Sequence, residues 1–301
     1  MIYTITFNPS LDYIVFMDKF IVSEINRTKK EVINPGGKGI NVSIVLDNLG
    51  YDSTALGFMA GYTGKEIERL LSDKKHIETN FVELNEGLSR INMKIRAEEE
   101  TAINGMGPKI SAAAIKRLYN QIDHIQKGDF LILAGSIPVD LSETIYSDIM
   151  KHLEGKGINI VVDATGKLLA NVLKYHPFMV KPNNFELGEV YGVEIKTKED
   201  AEFYARKMHE DGARNVLVSL GGDGALLLTE DDEVYYSKPP KGEVINTVGA
   251  GDSMVAGFLA GYMEHNNYEE AFKMGLCTGS ASSFSEGMAT KEKVDKLLNQ
   301  L

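Results

Sequence analysis

The chain has 301 residues, 43% of them hydrophobic and 25% charged, with a formal net charge of −11. That length suits one large α/β domain with an appendage or two ordinary domains, and the acidity argues against a nucleic-acid partner, whose phosphates demand a basic face. No apolar run approaches the roughly 18 residues of a membrane-spanning helix, and the lone Cys277 excludes an internal disulfide or a cysteine-built zinc cluster.

Residues 2–7 are a short β-rich run that reads as a first strand rather than a secretory leader, so a cytoplasmic compartment is expected. Residues 13–16 and 31–34 also read as strands, with no helix between them. Val42, Val45, Leu46 and Leu49 then trace a helix that Gly50 stops. Residues 90–104 read as a hairpin turning at Glu98-Glu99-Glu100, an acidic run expected to be a solvated turn. On its first strand Arg90, Asn92 and Lys94 share one face by period two, while Ile91, Met93 and Ile95 share the other. A helix follows Ser111 and is expected to end near Gly128. The apolar runs 130–134, 158–162 and 216–218 suit parallel strands covered on both faces, and residues 271–285 and 291–301 close the chain as helices. This alternation predicts a three-layer α/β/α sandwich around a doubly wound, mostly parallel sheet. The strands at about 11–17, 29–35 and 90–105 break the rhythm and predict a small second sheet projecting from it. No flexible linker or repeat intervenes, so residues 1–301 are expected to form a single domain.

Asn246-Thr247-Val248-Gly249-Ala250-Gly251-Asp252-Ser253 leads straight into a helix with apolar positions at Val255, Phe258, Leu259 and Tyr262. A glycine turn opening a helix directs unpaired N–H groups and the positive end of the helix dipole outward, which makes an anion site. A carboxylate there, Asp252, repels the anion unless it has a task of its own. That task would be to accept a proton from a hydroxyl attacking a phosphoryl group held by the turn. The alternative is an acid that merely stabilises its own helix.

Three other loops stand out. Asn8-Pro9-Ser10-Leu11-Asp12 ends the first strand, where ligands gather in open α/β sheets, so Asp12 is either a hydroxyl ligand or a turn aspartate. Pro35-Gly36-Gly37-Lys38-Gly39-Ile40-Asn41 allows close backbone approach to a ligand, but Gly39 stands where a Walker A loop needs Ser or Thr. Ser219-Leu220-Gly221-Gly222-Asp223-Gly224 is, by itself, hairpin chemistry. The absence of a G-x-G-x-x-G turn speaks against a nicotinamide dehydrogenase, and the six histidines show no metal-binding spacing.

From Asn246 to Leu259 the chain resembles, without a gap, the second signature of the ribokinase-like carbohydrate kinases, in their phosphofructokinase-B (PfkB) branch. The resemblance covers essentially the whole chain and implies a ribokinase-like fold in which the projecting sheet is a lid. It implies that Gly249, Ala250 and Gly251 form the anion hole for the transferred phosphoryl group and that Asp252 is the catalytic base. On the sugar side it implies Asp12, Gly37 and Asn41 on hydroxyls and Lys38 and Arg90 on the substrate's own phosphate, with Asn92, Ser136 and Arg27 as further contacts. On the nucleotide side it implies Lys181, Ser219, Leu220, Gly221, Gly222, Asp223, Gly224, Gly251 and Asp252, with Gly279 in a helix lining the adenine pocket. The Asn-x-x-Glu pattern of Asn183 and Glu186, joined by Asp163, is implied to orient Mg²⁺ through its waters.

Within the branch, Arg90-Ile91-Asn92, Ile103-Asn104-Gly105 and the stretches 248–261 and 280–290 resemble enzymes acting on fructose 1-phosphate. The implied reaction is ATP-dependent phosphorylation of fructose 1-phosphate at its C6 hydroxyl, giving fructose 1,6-bisphosphate and ADP. The alternatives are a sister kinase for tagatose 6-phosphate and a non-catalytic sugar-phosphate sensor on the same fold. Many relatives carry arginine after the serine of their Gly-Ile-Asn-Val-Ser run, where this chain has Ile44, which implies a less basic phosphate pocket. The resemblance also implies a homodimer paired through the lid, with no membrane insertion.

Overall fold

Phe130, Ile132 and Ala134 point to one side of their strand, Leu131 and Leu133 to the other, and all five are buried. Such a strand must be covered on both faces. In the computed structural model, which describes residues 1–301, it is β8 (Phe130–Ala134), inside a nine-stranded sheet. On one side of it run β1 (Ile2–Thr6), β4 (Ser53–Ala60) and the edge strand β5 (Ile77–Leu84). On the other run β9 (Asn159–Asp163), β10 (Met179–Val180), β11 (Asn215–Ser219), β12 (Ala225–Leu228) and β13 (Val234–Ser237). Neighbours are parallel except β11–β12 and β12–β13. The chain proceeds from β1 outward to β4 and β5, then returns to lay β8 on the far side of β1. Strand order reverses there, and ligands collect beyond the carboxyl ends of strands at such a point.

One face of the sheet is covered by α3 (Ala112–Ile122), α4 (Ile145–His152), α5 (Gly166–Ala170), α6 (Asn184–Tyr191) and α7 (Lys198–Glu210). The other is covered by α1 (Lys38–Leu49), α8 (Ala250–His265), α9 (Tyr268–Ser283) and α10 (Lys291–Leu298). A smaller apolar cluster joins α1 to α2 (Gly61–Ser72) beside β4. No helix is long and apolar enough to cross a membrane. The expected second sheet is present: β2 (Ser10–Phe16), β3 (Lys30–Gly36), β6 (Arg90–Arg96) and β7 (Glu100–Asn104), in the order β3-β2-β6-β7. The 90–104 hairpin forms as read, and β2 and β6 pair in parallel, with Asp12 opposite Asn92.

Two readings change. Residues 53–84, which the sequence left without elements, contribute β4, α2 and β5 to the main sheet. All eight residues of β4 are buried, so it shows no alternation, and its Ser, Ala and Gly carry little strand propensity. The helix after Ser111, capped by that serine's side chain, stops at Ile122 and not near Gly128.

Helices α8 and α9 meet through glycines. A Cβ on Gly257 would lie 2.3 Å from Thr278 Oγ1 and 2.7 Å from the Met274 carbonyl oxygen. A Cβ on Gly275 would lie 3.0 Å from the Met254 carbonyl oxygen. Alanine normally improves on glycine in a helix by about 1 kcal/mol, but overpacking a well-filled site costs about 1–3 kcal/mol. Because one of the Gly257 contacts is backbone, the clash should win. Gly257→Ala is expected to lose about 1–2 kcal/mol in urea unfolding. Gly287→Ala, whose Cβ would meet nothing, should stay within about 0.5 kcal/mol of the parent. A Gly257→Ala protein as stable as the parent would rule out this close helix contact.

Candidate active site

The glycine turn is built into the α8–α9 interface. Gly249 adopts φ 81°, a left-handed conformation, as the residue before α8. Ala250, Gly251 and Asp252 are the first three helical residues, and the Gly251 and Asp252 N–H groups have no backbone acceptor. Ser253 Oγ donates to the Gly249 carbonyl at 2.8 Å and meets Ser282 Oγ at 2.6 Å, tying the turn to α9. A Cβ on Gly279 would lie 3.1 Å from the Ala250 carbonyl oxygen. Gly279, expected to line a nucleotide pocket, is buried, and the side on which a Cβ would stand packs against the turn.

Asp252 is 5% exposed and its Oδ2 accepts a hydrogen bond from Asn41 Nδ2 at 2.8 Å. Asn41, expected on a sugar hydroxyl, thus faces the carboxylate. Asp163 closes β9 and is fully buried. Its Oδ1 accepts from Lys38 Nζ at 2.8 Å and lies 3.6 Å from Lys181 Nζ. Lys181 Nζ would in turn lie 3.1 Å from a Cβ on Gly251, so the ammonium sits beside the turn. Two carboxylates and two ammonium groups therefore alternate beneath the anion site.

Their charges are linked. Burial pushes the Asp252 carboxyl up to about 6, with the negative Asp163 adding to the rise and Lys38, Asn41 and Lys181 opposing it. For Asp163 burial acts upward too, but Lys181 and Lys38 outweigh it and hold the carboxyl below its ordinary value. Lys38 is pulled down by burial and raised further by Asp163 and Asp252, so it stays charged.

A cavity of about 290 Å³ opens between the lid root and the ends of β1, β8 and β9. Lys38, Arg90, Ser136, Asn8, Gly37 and Glu186 are among its walls. Two cations on one small cavity make an anion site, with Lys38 reaching it from the edge of the charge cluster. Arg90 Nε donates to the Asn8 carbonyl at 2.9 Å. Burial lowers the Arg90 pKa and Asp12 opposes this. Tyr146, fully buried, donates its hydroxyl to the Gly135 carbonyl at 3.0 Å and so fixes the backbone beside Ser136. Asp12 and Asn92 stand outside this cavity, on the lid. Asp12 Oδ1 accepts from Ser10 Oγ at 2.7 Å and Asn92 Nδ2 at 3.0 Å, and its Oδ2 from Lys94 Nζ at 2.7 Å. Lys94 was legible only as the third member of a period-two face. Arg27 lies exposed in the 17–29 loop with no ion pair and does not reach the cavity. Ile44 packs with Leu11, Ile40, Met59, Ile67 and Leu71, away from the cavity, so its apolar side chain takes nothing from the pocket's charge.

In the 219–224 loop, expected on the nucleotide, Gly221 and Gly222 border open space, whereas a Cβ on Gly224 would strike the Ser237 carbonyl. Ser219, Leu220 and Asp223 belong to the same loop, in which Leu220 N–H donates to the Gly224 carbonyl at 2.8 Å. The exposed Val244 and Ile245, which sequence reasoning passed over, lead into the glycine turn as an apolar strip. Asn183 and Glu186 form a capping box at the start of α6: Glu186 N–H donates to Asn183 Oδ1 and Asn183 N–H to Glu186 Oε2, each at 2.8 Å. One carboxylate oxygen of Glu186 is left for the cavity. Nowhere do three acidic, histidine or cysteine side chains converge as a metal cage. Asp163 Oδ2, buried with no partner, and the free Glu186 oxygen instead fit a hydrated Mg²⁺ carried in by phosphates.

The chain matches the family model described as pfkB family carbohydrate kinase over residues 6–294. It is 45% identical over 301 residues to the 1-phosphofructokinase of Bacillus subtilis, covering 100% of this chain and 98% of that one. The D-tagatose-1-phosphate kinase of Bacillus licheniformis is 37% identical, with 100% and 98% covered. The tagatose-directed relative thus bears the 1-phosphate in its name, where the sequence reading expected the 6-phosphate. Among solved structures, phosphofructokinase-2 of Escherichia coli, in complex with substrates and products, superposes with a TM-score of 0.93 at 29% identity, covering 99% and 98%. With the lid, the glycine turn and nearly all of the body inside the matched span, the chain belongs to the pfkB family of carbohydrate kinases.

Proposed function

We propose that this kinase transfers the γ-phosphoryl group of ATP to the C6 hydroxyl of fructose 1-phosphate, giving fructose 1,6-bisphosphate and ADP. One observation carries the reading: a buried carboxylate, Asp252, stands one residue after a helix-opening glycine turn with free N–H groups, across from a cavity walled by two cations. The 45% identity to a 1-phosphofructokinase selects the sugar.

The sugar's 1-phosphate enters the cavity against Arg90 and Lys38, with Ser136 at its mouth. Asp12, Asn92 and Lys94 meet the hydroxyls from the lid. The C6 hydroxyl oxygen bonds to the γ-phosphorus as the bond to the β–γ bridging oxygen breaks, and the hydroxyl proton passes to Asp252. ADP leaves with the bridging oxygen. The N–H groups of Gly251 and Asp252, with Lys181 beside them, face the charge on the transferred group. The triphosphate lies along the 219–224 loop, and the adenine packs on Val244 and Ile245. Glu186 and Asp163, with Asn183 orienting Glu186, would hold Mg²⁺, which would supply charge neutralisation to the phosphates. The lid then excludes water, which would otherwise take the phosphoryl group. The buried, single Cys277 and the ATP requirement fit the cytoplasm.

Tagatose 1-phosphate is the second reading, favoured by the 37% relative. Full-length similarity to a kinase speaks against the sensor reading. The lid also suggests a homodimer. Ile33, Tyr13, Met93 and Ile103 form one cross-strand row, with Ile33 45% and Ile103 57% exposed. Exposed apolar rows beside open sheet edges suit pairing with a second copy.

ADP release with Mg·ATP and each of fructose 1-phosphate, tagatose 1-phosphate and fructose 6-phosphate tests the substrate, and preference for another sugar would overturn it. Asp252→Asn is expected to lower kcat by about 10²–10⁴-fold while ATP still binds; a drop below threefold would remove Asp252 as the base. In the parent, kcat should fall tenfold per pH unit below about 6. Because the folded protein holds the Asp252 proton to higher pH than the unfolded chain does, stability declines as pH rises from about 4 to about 6 and stays reduced above that. Asp252→Asn should therefore be more stable than the parent by about 2–3 kcal/mol at pH 7.5, with the gap closing near pH 4; urea titrations showing no gap at pH 7.5 would contradict the raised carboxyl. Ile103→Asp should halve the mass in light scattering, and an unchanged mass would discard the lid as the dimer surface.

A further inference from the structure

Asn8 opens the Asn8-Pro9-Ser10-Leu11-Asp12 run, yet the phosphoryl transfer gives it no part. The lid joins the body at four crossings, near residues 7–9, 37, 89–90 and 105–107. Asn8 lies in the first. Its backbone carbonyl accepts from Arg90 Nε, in the third, at 2.9 Å. Its side-chain Nδ2 donates to the carbonyl of Met106, in the fourth, at 3.0 Å. The second crossing passes alongside, where a Cβ on Gly37 would lie 3.4 Å from Pro9 Cα. Gly107 takes φ +85°, and a Cβ on it would fall 2.1 Å from Asn8 Oδ1, so the backbone at the lid exit lies directly on the amide. Asn8 is 5% exposed, and its Oδ1 has no partner, leaving the side chain held by the single bond to Met106. It also borders the 290 Å³ cavity together with Arg90.

We propose that Asn8 is a positioning residue, a latch at the root of the lid that sets the Arg90 guanidinium over the sugar-phosphate cavity and ties the lid's exit to its entry. The proposal rests on the reading of that cavity as the sugar-phosphate site. Holding Arg90 through Nε leaves its two terminal nitrogens for a phosphate, already aimed. The β2–β6 pairing already joins the two excursions along the lid, and the Met106 bond adds a tie at its root, holding the 105–107 exit against the chain that enters β2 two residues after Asn8.

Asn8→Leu keeps the side chain's approximate size and removes both amide atoms; the backbone carbonyl on Arg90 Nε remains but loses the side-chain tie to Met106 that fixes its position. Without any ligand, amide hydrogen exchange across residues 90–107 is expected to accelerate about tenfold, the scale of one lost hydrogen bond. The KM for fructose 1-phosphate should rise about tenfold, with the KM for ATP within twofold of the parent. Gly107→Ala leaves Asn8 in place but forces the exit backbone off it, and should give the same pattern; it carries the test if Asn8→Leu does not fold. Unchanged exchange in a folded variant overturns the latch, as does a fall in kcat with both KM values unmoved. Absence of parental ADP release with fructose 1-phosphate overturns the substrate assignment instead, and the exchange result still decides the latch.

Discussion

Asp163 is fully buried, and its Oδ1 serves both Lys38, at 2.8 Å, and Lys181, at 3.6 Å. Withdrawing charges from water costs several kcal/mol per ion, so this cluster persists only because each charge has an opposite beside it. The three side chains come from the end of β9, the start of α1 and the residue after β10. Their attraction therefore pins the first helix to the rim of the sheet, where strand order reverses. It also places two ammonium groups near a turn with free N–H groups without leaving a net positive hole in the protein. Asp252 completes the balance, and the negative field of Asp163 is one reason its proton is held so firmly. Substituting Lys38, Lys181 or Asp163 would leave a buried charge without its opposite, whereas neutralising Asp252 relieves its repulsion with Asp163, so the effects of these substitutions should be far from additive.

The rigidity of the glycine turn comes from packing. Glycines let α8 and α9 approach until backbone meets backbone, and Gly279 brings α9 against the carbonyl of Ala250. Ser253 and Ser282 close the same seam with hydroxyls. N–H groups aimed at an incoming charge are effective when they need not reorganise, and a turn clamped between two helices satisfies that condition.

Much of this was legible in the amino-acid order. The parallel strands announced themselves as short apolar runs, the lid as strands without helices between them, and the turn as a glycine motif opening a helix, although α8 is buried on all sides from Asp252 to Gly261 rather than along the single apolar stripe. Strand β4 was missed because burial on both faces erases the alternation that marks a strand, and its small residues carry little propensity. Site roles were read less well where one side chain acts on another. A sequence places Asn41 and Lys38 near a ligand, but whether they touch it or touch Asp252 and Asp163 depends on rotamers set by tertiary packing. Gly279 was placed in a helix lining the adenine pocket on the resemblance alone; that its α-carbon also packs on the Ala250 carbonyl depends on a neighbouring helix and is not encoded locally.

The lid is made of two separate excursions of the chain, β2–β3 and β6–β7, joined along a parallel seam in which Ser10 faces Arg90, Asp12 faces Asn92 and Ile14 faces Lys94. Side chains alternate along a strand, so a slip of β6 by a single position would turn Arg90, Asn92 and Lys94 together to the outer surface and bring Ile91, Met93 and Ile95 inward. Recognition of a polar sugar thus has a digital element: the seam is either in register and the inner face is charged, or it is not and the inner face is oily. Residues that contact no ligand but hold the seam, such as Val15 and Ile95 in its buried row, are in that sense determinants of what the enzyme accepts.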